Sequence, residues 1–391
     1  MKTFKRIIIS LLSLFAGLFV ILLGIFIVAI VSNVNVIEEN IKFQEEHLNY
    51  LETEYYKNYT PKNEADLADF DLEKAIEDGV KLNEIAILGT HNSYQRLATA
   101  ETRFAMNIID AITFKKAGLD TFDFEMDTLT EQLEMGVRNV EIDIETLDKD
   151  NKIEFKVTHN SLIDNASSAY DFEKALKEIK MWSDNNPNHV PVIIIVEPKS
   201  FVIEINGMKK FSLEYAKELE KIVADTLGES LLTPADMLRD YESFKEMREK
   251  DDWISLKEAQ GKILVLLHDC DVTESYIALD ETIRTQKMFP MLRYDDRNET
   301  YTSFILENDA FRANDRKAEN IDESNLIVRT RADVYPEYSD ERYKVIEDCG
   351  SQIITTDFPE KINGNEENVY SFNGKKIKLI KNWHSLRFIV I

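Results

Sequence analysis

The stretch Ile85-Ala-Ile-Leu-Gly-Thr-His91-Asn92-Ser-Tyr94 is a short apolar run that ends in a histidine and an amide. Apolar runs of this length are typical of strands buried on both faces of a parallel sheet. Further runs of this kind end at Asp143, His159, Glu197, His268, Arg329 and Asp357, and a shorter one covers 288–292. Helical patterns separate the runs. About eight strand–helix units predict an α/β fold, a (β/α)8 TIM-type barrel that need not be regular.

Polar residues stand where the predicted strands end, and this is the face on which such barrels build active sites. His91 and His159 bracket the segment Val140-Glu141-Ile-Asp143-Ile-Glu145, whose alternation puts its three carboxylates on one face. Imidazoles with a pKa near neutrality can both take and give a proton, as cleavage of a phosphodiester requires. The pattern therefore predicts acid–base chemistry beside carboxylates.

An oxygen-only set of metal ligands is available from Asn92, Glu141, Asp143 and Glu197. Two or three carboxylates with an amide and water favour Ca²⁺ over Mg²⁺ or Zn²⁺. The alternative is that the carboxylates form ion pairs with Arg138 and nearby lysines and hold no metal.

Residues 7–31 form an apolar run without a charge, and Lys2, Lys5 and Arg6 precede it. A helix of this length spans about 37 Å, which is enough to cross a bilayer. The apolar core of a cleavable signal is shorter, about 7–15 residues. We therefore expect an uncleaved, single-pass signal anchor with the catalytic part extracytoplasmic, and a removed signal is the alternative.

The chain divides into four predicted parts. A basic tip and transmembrane anchor (1–31) precede an acidic helical stalk (32–78), interpreted as a spacer that packs on the domain it carries, with a partner-binding helix as the alternative. The catalytic barrel (79–360) follows, and a C-terminal hairpin or tail (361–391) ends the chain. The dipeptide Asn373-Gly374 predicts the turn of that hairpin.

The chain is strongly acidic, with 47 basic and 72 acidic residues and a net charge of −25. Nucleic acid is therefore excluded as a partner, because phosphate backbones are bound by clustered Lys and Arg. An acidic surface also gives no general attraction to anionic lipid, so a lipid substrate would have to be recognised locally.

Several segments resemble, in the same order, the motifs of the calcium-dependent phosphatidylinositol-specific phospholipases C. The similarity runs from about residue 81 to residue 359. The segments are Gly89–Tyr94, Gly136–Asp143, Thr158-His159, Asn186–Lys199, Ile327–Asp333 and Gly350–Pro359.

The resemblance implies roles for these residues. His91 would act as general base or stabilise the phosphorane, and His159 would protonate the diacylglycerol oxygen. The amide and carboxylates of the oxygen set would hold Ca²⁺. Three basic residues would contact phosphate or inositol, with ion pairs at the barrel rim as the alternative: Lys199, Arg329 and Arg331.

The predicted function is that of a membrane-anchored phospholipase C that releases diacylglycerol and an inositol cyclic phosphate from phosphatidylinositol. One alternative is a glycerophosphodiester phosphodiesterase, in which a His-Arg-Gly-type motif followed by glutamate is expected. His91-Asn92-Ser93 does not fit that motif. The other alternative is an anchored module that binds inositol lipids or glycans without turnover.

Overall fold

Parallel strands close into a barrel in the computed structural model, which describes residues 2–113, 124–200, 202, 204, 206–334, 338–359 and 369–380. The strands are β1 (Ile85–Thr90), β2 (Asn139–Lys149), β3 (Lys152–Val157), β4 (Val192–Pro198), β5 (Met208–Lys209), β6 (Ile263–His268), β7 (Phe289–Leu292), β8 (Phe304–Asp309), β9 (Ile327–Arg331), β10 (Ile353–Thr356) and β11 (Ile377–Leu379). The barrel order is β1-β2-β4-β6-β7-β8-β9-β10, and β10 returns to β1 through parallel pairing. The predicted (β/α)8 barrel is confirmed.

Helices connect the strands, and most begin at a side-chain cap. Thr128 and Glu131, for example, cap the start of one helix reciprocally. The helices are α1 (Lys2–Thr53), α2 (Leu72–Glu77), α3 (Ala100–Ile112), α4 (Leu129–Met135), α5 (Phe172–Asn185), α6 (Leu213–Leu227), α7 (Pro234–Leu238), α8 (Phe244–Glu249), α9 (Leu256–Ala259), α10 (Thr273–Ile277), α11 (Ala310–Asp315) and α12 (Asp340–Asp348). Short 3₁₀ turns cover Tyr55–Asn58, Glu64–Leu67, Leu82–Glu84, Gly228–Ser230 and Tyr294–Asp296, and a π turn covers Ala318–Glu323.

The strand that leads to His159 is not a barrel strand, so this part of the sequence prediction was wrong. β3 pairs antiparallel with β2. The two are joined through Asp150 and Asn151, whose φ angles of 55° and 62° form a tight turn. A parallel connection needs a dozen or more residues, and two residues allow only a hairpin. The eighth barrel position is taken by β8, which the sequence pattern missed.

Alternate residues of β4 and of its neighbour β6 serve two cores. Ile193 and Ile195 of β4 pack with alternate residues of the other barrel strands. Val192 and Ile194 pack instead with the apolar faces of α5 and α6. Because side chains alternate along a strand, Glu197 lies on the same face as Ile195, towards the barrel axis.

The barrel closes where β1 and β2 pair, and this pairing covers only two residues of each strand. Gly89 pairs with Asn139 and Thr90 with Val140. A Cβ atom at Gly89 would lie 2.7 Å from the Cβ of Asn139, closer than real Cβ contacts. Glycine therefore allows the close approach of the two strands just below His91.

α1 is one continuous helix from Lys2 to Thr53, with no break at residue 31. Among the described residues it is the one helix long and apolar enough to cross a membrane. Its C-terminal part packs on the barrel, where Leu51 is buried. Downstream, Ala68 and Leu72 already belong to the barrel core.

The C-terminal segment returns to the barrel as β11, antiparallel to β1. Phe372 and Lys375 form a bridge around Asn373 and Gly374, whose φ angles are 53° and 81°. The predicted Asn-Gly turn is therefore present. The rest of the predicted tail, 361–368 and 381–391, lies outside the described residues.

Candidate active site

His91 lies just beyond the carboxyl end of β1 and is held by Asp357, which follows β10. The distance from His91 Nδ1 to Asp357 Oδ1 is 2.9 Å, and Arg331 donates to Asp357 Oδ2 over 2.9 Å. Arg331 Nη2 also lies 3.2 Å from Nδ1, but the contact with Asp357 is shorter, and because a carboxylate only accepts we assign the imidazole proton to Nδ1. Nε2 then presents its lone pair towards Glu141, whose Oε1 lies 3.9 Å away.

Three carboxylates form a cluster beside His91. One oxygen each from Glu141, Asp143 and Glu197 lies within 4.8 Å of the other two. The parallel register of β2 and β4 sets Asp143 directly opposite Glu197. We call these three residues the carboxylate cluster.

The three predicted phosphate-binding cations all engage carboxylates. Lys199 Nζ lies 2.6 Å from Asp143 Oδ2 and 3.4 Å from Glu197 Oε1. Arg329 forms a buried ion pair with Glu141, and Arg331 pairs with Asp357. These cations balance part of the negative charge at the mouth of the barrel.

The three carboxylates still repel one another despite these cations. Burial and the neighbouring Glu197 and Glu141 raise the pKa of Asp143 to about 8, although Lys199 opposes them. Burial also acts to raise the pKa of Glu197, but Lys199 and His268 outweigh it and lower this pKa to about 2. A divalent cation would allow all three groups to ionise together.

Two buried oxygens test whether the residues fit a cation. Asn92 Oδ1 and Asp143 Oδ1 are both fully buried, and neither has a hydrogen-bond partner among the described residues. Asn92 adopts a left-handed backbone with φ of 47°, a conformation that asparagine tolerates better than most residues. Tyr94 donates to the other oxygen of Asp143 over 2.7 Å and orients that carboxylate. Unpaired buried oxygens are costly, and these donors suit Ca²⁺.

His159 follows the hairpin strand β3 and reaches the same rim. Its Nδ1 lies 3.8 Å from Asp164 Oδ2, and 39% of its side chain is exposed. Gln95 donates to both oxygens of Asp164 over 3.2 Å. Desolvation, with the charges of Lys199 and His91, lowers the pKa of His159 to about 4.

The sequence interpretation gave no role to several residues of this site. Asp357 and Tyr94 stood inside the quoted segments, and their position at strand ends was the available signal. Asp164 could not be found in that way, because it lies in a loop. His268, at the end of β6, is buried and acts electrostatically on Glu197.

A closed parallel barrel with a histidine–aspartate pair beside oxygen donors at its carboxyl end is built like a metal-dependent phosphodiesterase. The sequence matches the family described as phosphoinositide phospholipase C, Ca²⁺-dependent, over residues 80–151 and 145–380. The match covers well over half of the chain, and the chain belongs to this family.

Two solved structures share the fold. The calcium-dependent phosphoinositol-specific phospholipase C from the Gram-negative bacterium Pseudomonas sp., apo form, myoinositol complex, aligns with a TM-score of 0.53 and 17% identity. A second crystal form of the apo enzyme gives a TM-score of 0.54 at the same identity. Each alignment covers 81% of this chain and 99% of the other. No curated protein sequence matches the chain.

Proposed function

We propose that this chain is a membrane-anchored, Ca²⁺-dependent phospholipase C that cleaves the phosphodiester of phosphatidylinositol. The observation that carries the proposal is the setting of His91, with Nδ1 on Asp357 and Nε2 towards the carboxylate cluster. The buried oxygens of Asn92 and Asp143, which have no hydrogen-bond partner among the described residues, support a cation beside this base.

His91 is the proposed general base. Its Nε2 takes the proton of the inositol 2-hydroxyl, and the oxygen then attacks phosphorus. Asp357 keeps the proton on Nδ1 and stabilises the imidazolium that forms. Because the nucleophile belongs to the inositol ring, the products are diacylglycerol and an inositol cyclic phosphate.

His159 is the proposed general acid towards the diacylglycerol oxygen. A pKa of about 4 leaves it neutral at pH 7 in the absence of substrate. The negative charge of a bound phosphodiester opposes the effects of Lys199 and His91 and raises this pKa towards the range of a general acid. Substrate binding thus prepares its own proton donor.

The proposed Ca²⁺ ligands are Asn92, Glu141, Asp143 and Glu197. The ion would neutralise the phosphate and lower the pKa of a coordinated hydroxyl. Of the three cations, Lys199 and Arg331 have 16% and 13% of their side chains exposed, so phosphate or inositol can reach them. Arg329 has 1% exposed and instead orients Glu141.

The anchor and topology belong to the same proposal. Residues 1–31 would form a cytoplasmic tip and a single membrane span, and residues 32–78 the stalk. The barrel, proposed as 79–360, and the tail, 361–391, would then lie outside the cytoplasm. The basic residues before the apolar run support this orientation.

The test is turnover of phosphatidylinositol by the full chain, with Ca²⁺ and with a chelator. We expect inositol cyclic phosphate with Ca²⁺ and loss of turnover with chelator. Full activity in chelator contradicts the Ca²⁺ role. Glycerol phosphate as product identifies the glycerophosphodiesterase alternative, and binding without turnover identifies the binding module.

A further inference from the structure

The loop that carries His159 is bound to α1 through buried amides. The His159 loop is defined as residues 158–171. Asn165 N donates to Asn33 Oδ1 over 2.7 Å, and Asn40 Nδ2 donates to the carbonyl of Asn165 over 2.6 Å. Asn33 Nδ2 also donates to the carbonyl of Ser161 over 3.3 Å. We call Asn33, Asn40 and Asn165 the amide clamp, and all three side chains are buried.

The clamp acts on the residues immediately around His159. Asn165 Oδ1 accepts from Thr158, the residue before His159, over 3.2 Å. Asn165 Nδ2 donates to the carbonyl of Ser161, two residues after His159, over 2.8 Å. The single hydroxyl proton of Thr158 is shared between Asn165 Oδ1 and the carbonyl of Asp164, which lies 2.6 Å away. Asn165 therefore joins α1 to both sides of His159.

The far end of the loop is tied to the same helix. Gln44 accepts from Asp171 N over 2.9 Å and donates to the carbonyl of Asp171 over 3.0 Å. Apolar side chains could pack a helix on a barrel without these polar pairs. Buried amides are retained at a cost in desolvation, and removing one partner leaves the other unsatisfied. Such contacts fix one arrangement of the loop.

We propose that α1 is a positioning element for His159 as well as a membrane anchor: the amide clamp holds the His159 loop in the geometry for proton donation to the leaving oxygen. This inference rests on the proposed function, since it assumes that His159 is the general acid. It adds that the membrane helix is part of the catalytic architecture.

The test compares Asn40→Ala with Asn35→Ala in the full chain, reconstituted in phosphatidylinositol vesicles with Ca²⁺. Asn40 is buried in the clamp, whereas Asn35 lies exposed on the same helix and serves as the matched control. Each variant is assayed on phosphatidylinositol and on an inositol nitrophenyl phosphodiester. Nitrophenolate leaves without a proton, so turnover of the second substrate does not depend on the general acid.

We expect Asn40→Ala to lower turnover of phosphatidylinositol by about 10- to 100-fold, since misplacement of a catalytic group by 1 Å can cost this much. Turnover of the nitrophenyl substrate should change less than about threefold, and Asn35→Ala should leave both unchanged. His159→Ala should cost much less in the Asn40→Ala background than in the wild type, because the acid is already misplaced.

Three results would overturn the inference. An equal fall on both substrates means that the clamp supports only the fold. Unchanged turnover of phosphatidylinositol means that the loop needs no clamp, and this leaves the proposed function intact. A wild-type chain that cleaves neither substrate removes the proposed function itself.

Discussion

At the scale of single residues, the contact between His91 and Asp357 joins two positions separated by 266 residues. We predict that Asp357→Asn lowers kcat on phosphatidylinositol by about 10²- to 10⁴-fold, because an amide no longer holds the proton on Nδ1. The control is Asp225→Asn on the outer face of α6, where Asp225 pairs with an exposed lysine. Activity within twofold of wild type would exclude the proposed role of Asp357.

Glu197 tests the cation site without relying on turnover. We predict that Glu197→Gln weakens Ca²⁺ binding by at least about tenfold, because one anionic oxygen is lost from the set. Calorimetric titration of the full chain with Ca²⁺ measures this directly. Glu214→Gln, an exposed change on α6, should bind as wild type does. Equal affinities for the two variants would place the ion elsewhere.

The sequence placed part of this site and missed the rest for a physical reason. Strand alternation sets Glu141 and Asp143 on one face, and the ends of parallel strands bring His91 and Glu197 to the same rim. Their chemical roles stay predictions. The partner of His91 could not be read from the sequence, because a hydrogen bond between distant segments depends on how the barrel closes.

At the scale of elements, strand prediction failed where a run was short or its direction ambiguous. β8 begins with only three apolar residues, Phe304-Ile-Leu, before polar ones follow, and it was overlooked. β3 was found, but an apolar run carries no information on parallel or antiparallel pairing. The turn residues Asp150-Asn151 carried that information.

The packing of α1 on α5 gives a prediction on pH. His47 of α1 lies 3.1 Å from Glu178 of α5, with Glu131 of α4 nearby. Burial lowers the pKa of His47, but the hydrogen bond and charge of Glu178 outweigh it and raise this pKa above its ordinary value. The pair therefore stabilises the fold fully below about pH 6.5, and its contribution is lost as pH rises through the raised pKa.

Thermal unfolding of the full chain in detergent micelles checks this prediction. Wild type should exceed His47→Gln in Tm at pH 5.5, and the difference should shrink as the pH rises above about 6.5 through the raised pKa of His47. The glutamine keeps a hydrogen-bond donor but cannot titrate. A difference that stays constant from pH 5.5 to 9 would show that the charge of His47 contributes nothing.

At the scale of the whole molecule, no linker separates the proposed membrane span from the barrel. The apolar run ends at Val31, and the first docking contacts come from Ser32 and Asn33. A barrel held in this way has a high effective concentration towards lipids of its own bilayer and a low one towards others. We predict that the enzyme cleaves phosphatidylinositol in the vesicle that carries it.

To measure this, vesicles that carry the enzyme are mixed with vesicles that lack it. The phosphatidylinositol of one population carries one label, and that of the other population carries a second label. Product should come from the label of the enzyme-bearing vesicles. Once detergent has dissolved both populations, the enzyme should cleave both labelled lipids equally. This step controls for any difference in how well the two labelled lipids serve as substrates. Equal cleavage of the two labels before detergent would show that the barrel reaches across to other membranes.

The continuity of α1 also gives the proposed anchor a fixed rotation relative to the barrel. Each residue of an α-helix turns the chain by about 100° and advances it by about 1.5 Å. One residue inserted between Val31 and Asn33 would leave the barrel contacts intact yet rotate the membrane-facing side of the molecule by that angle. Seven inserted residues would nearly restore the facing while lifting the barrel by about 10 Å. In the proposed anchored enzyme, the helix thus couples the azimuth of the catalytic mouth to its height above the bilayer.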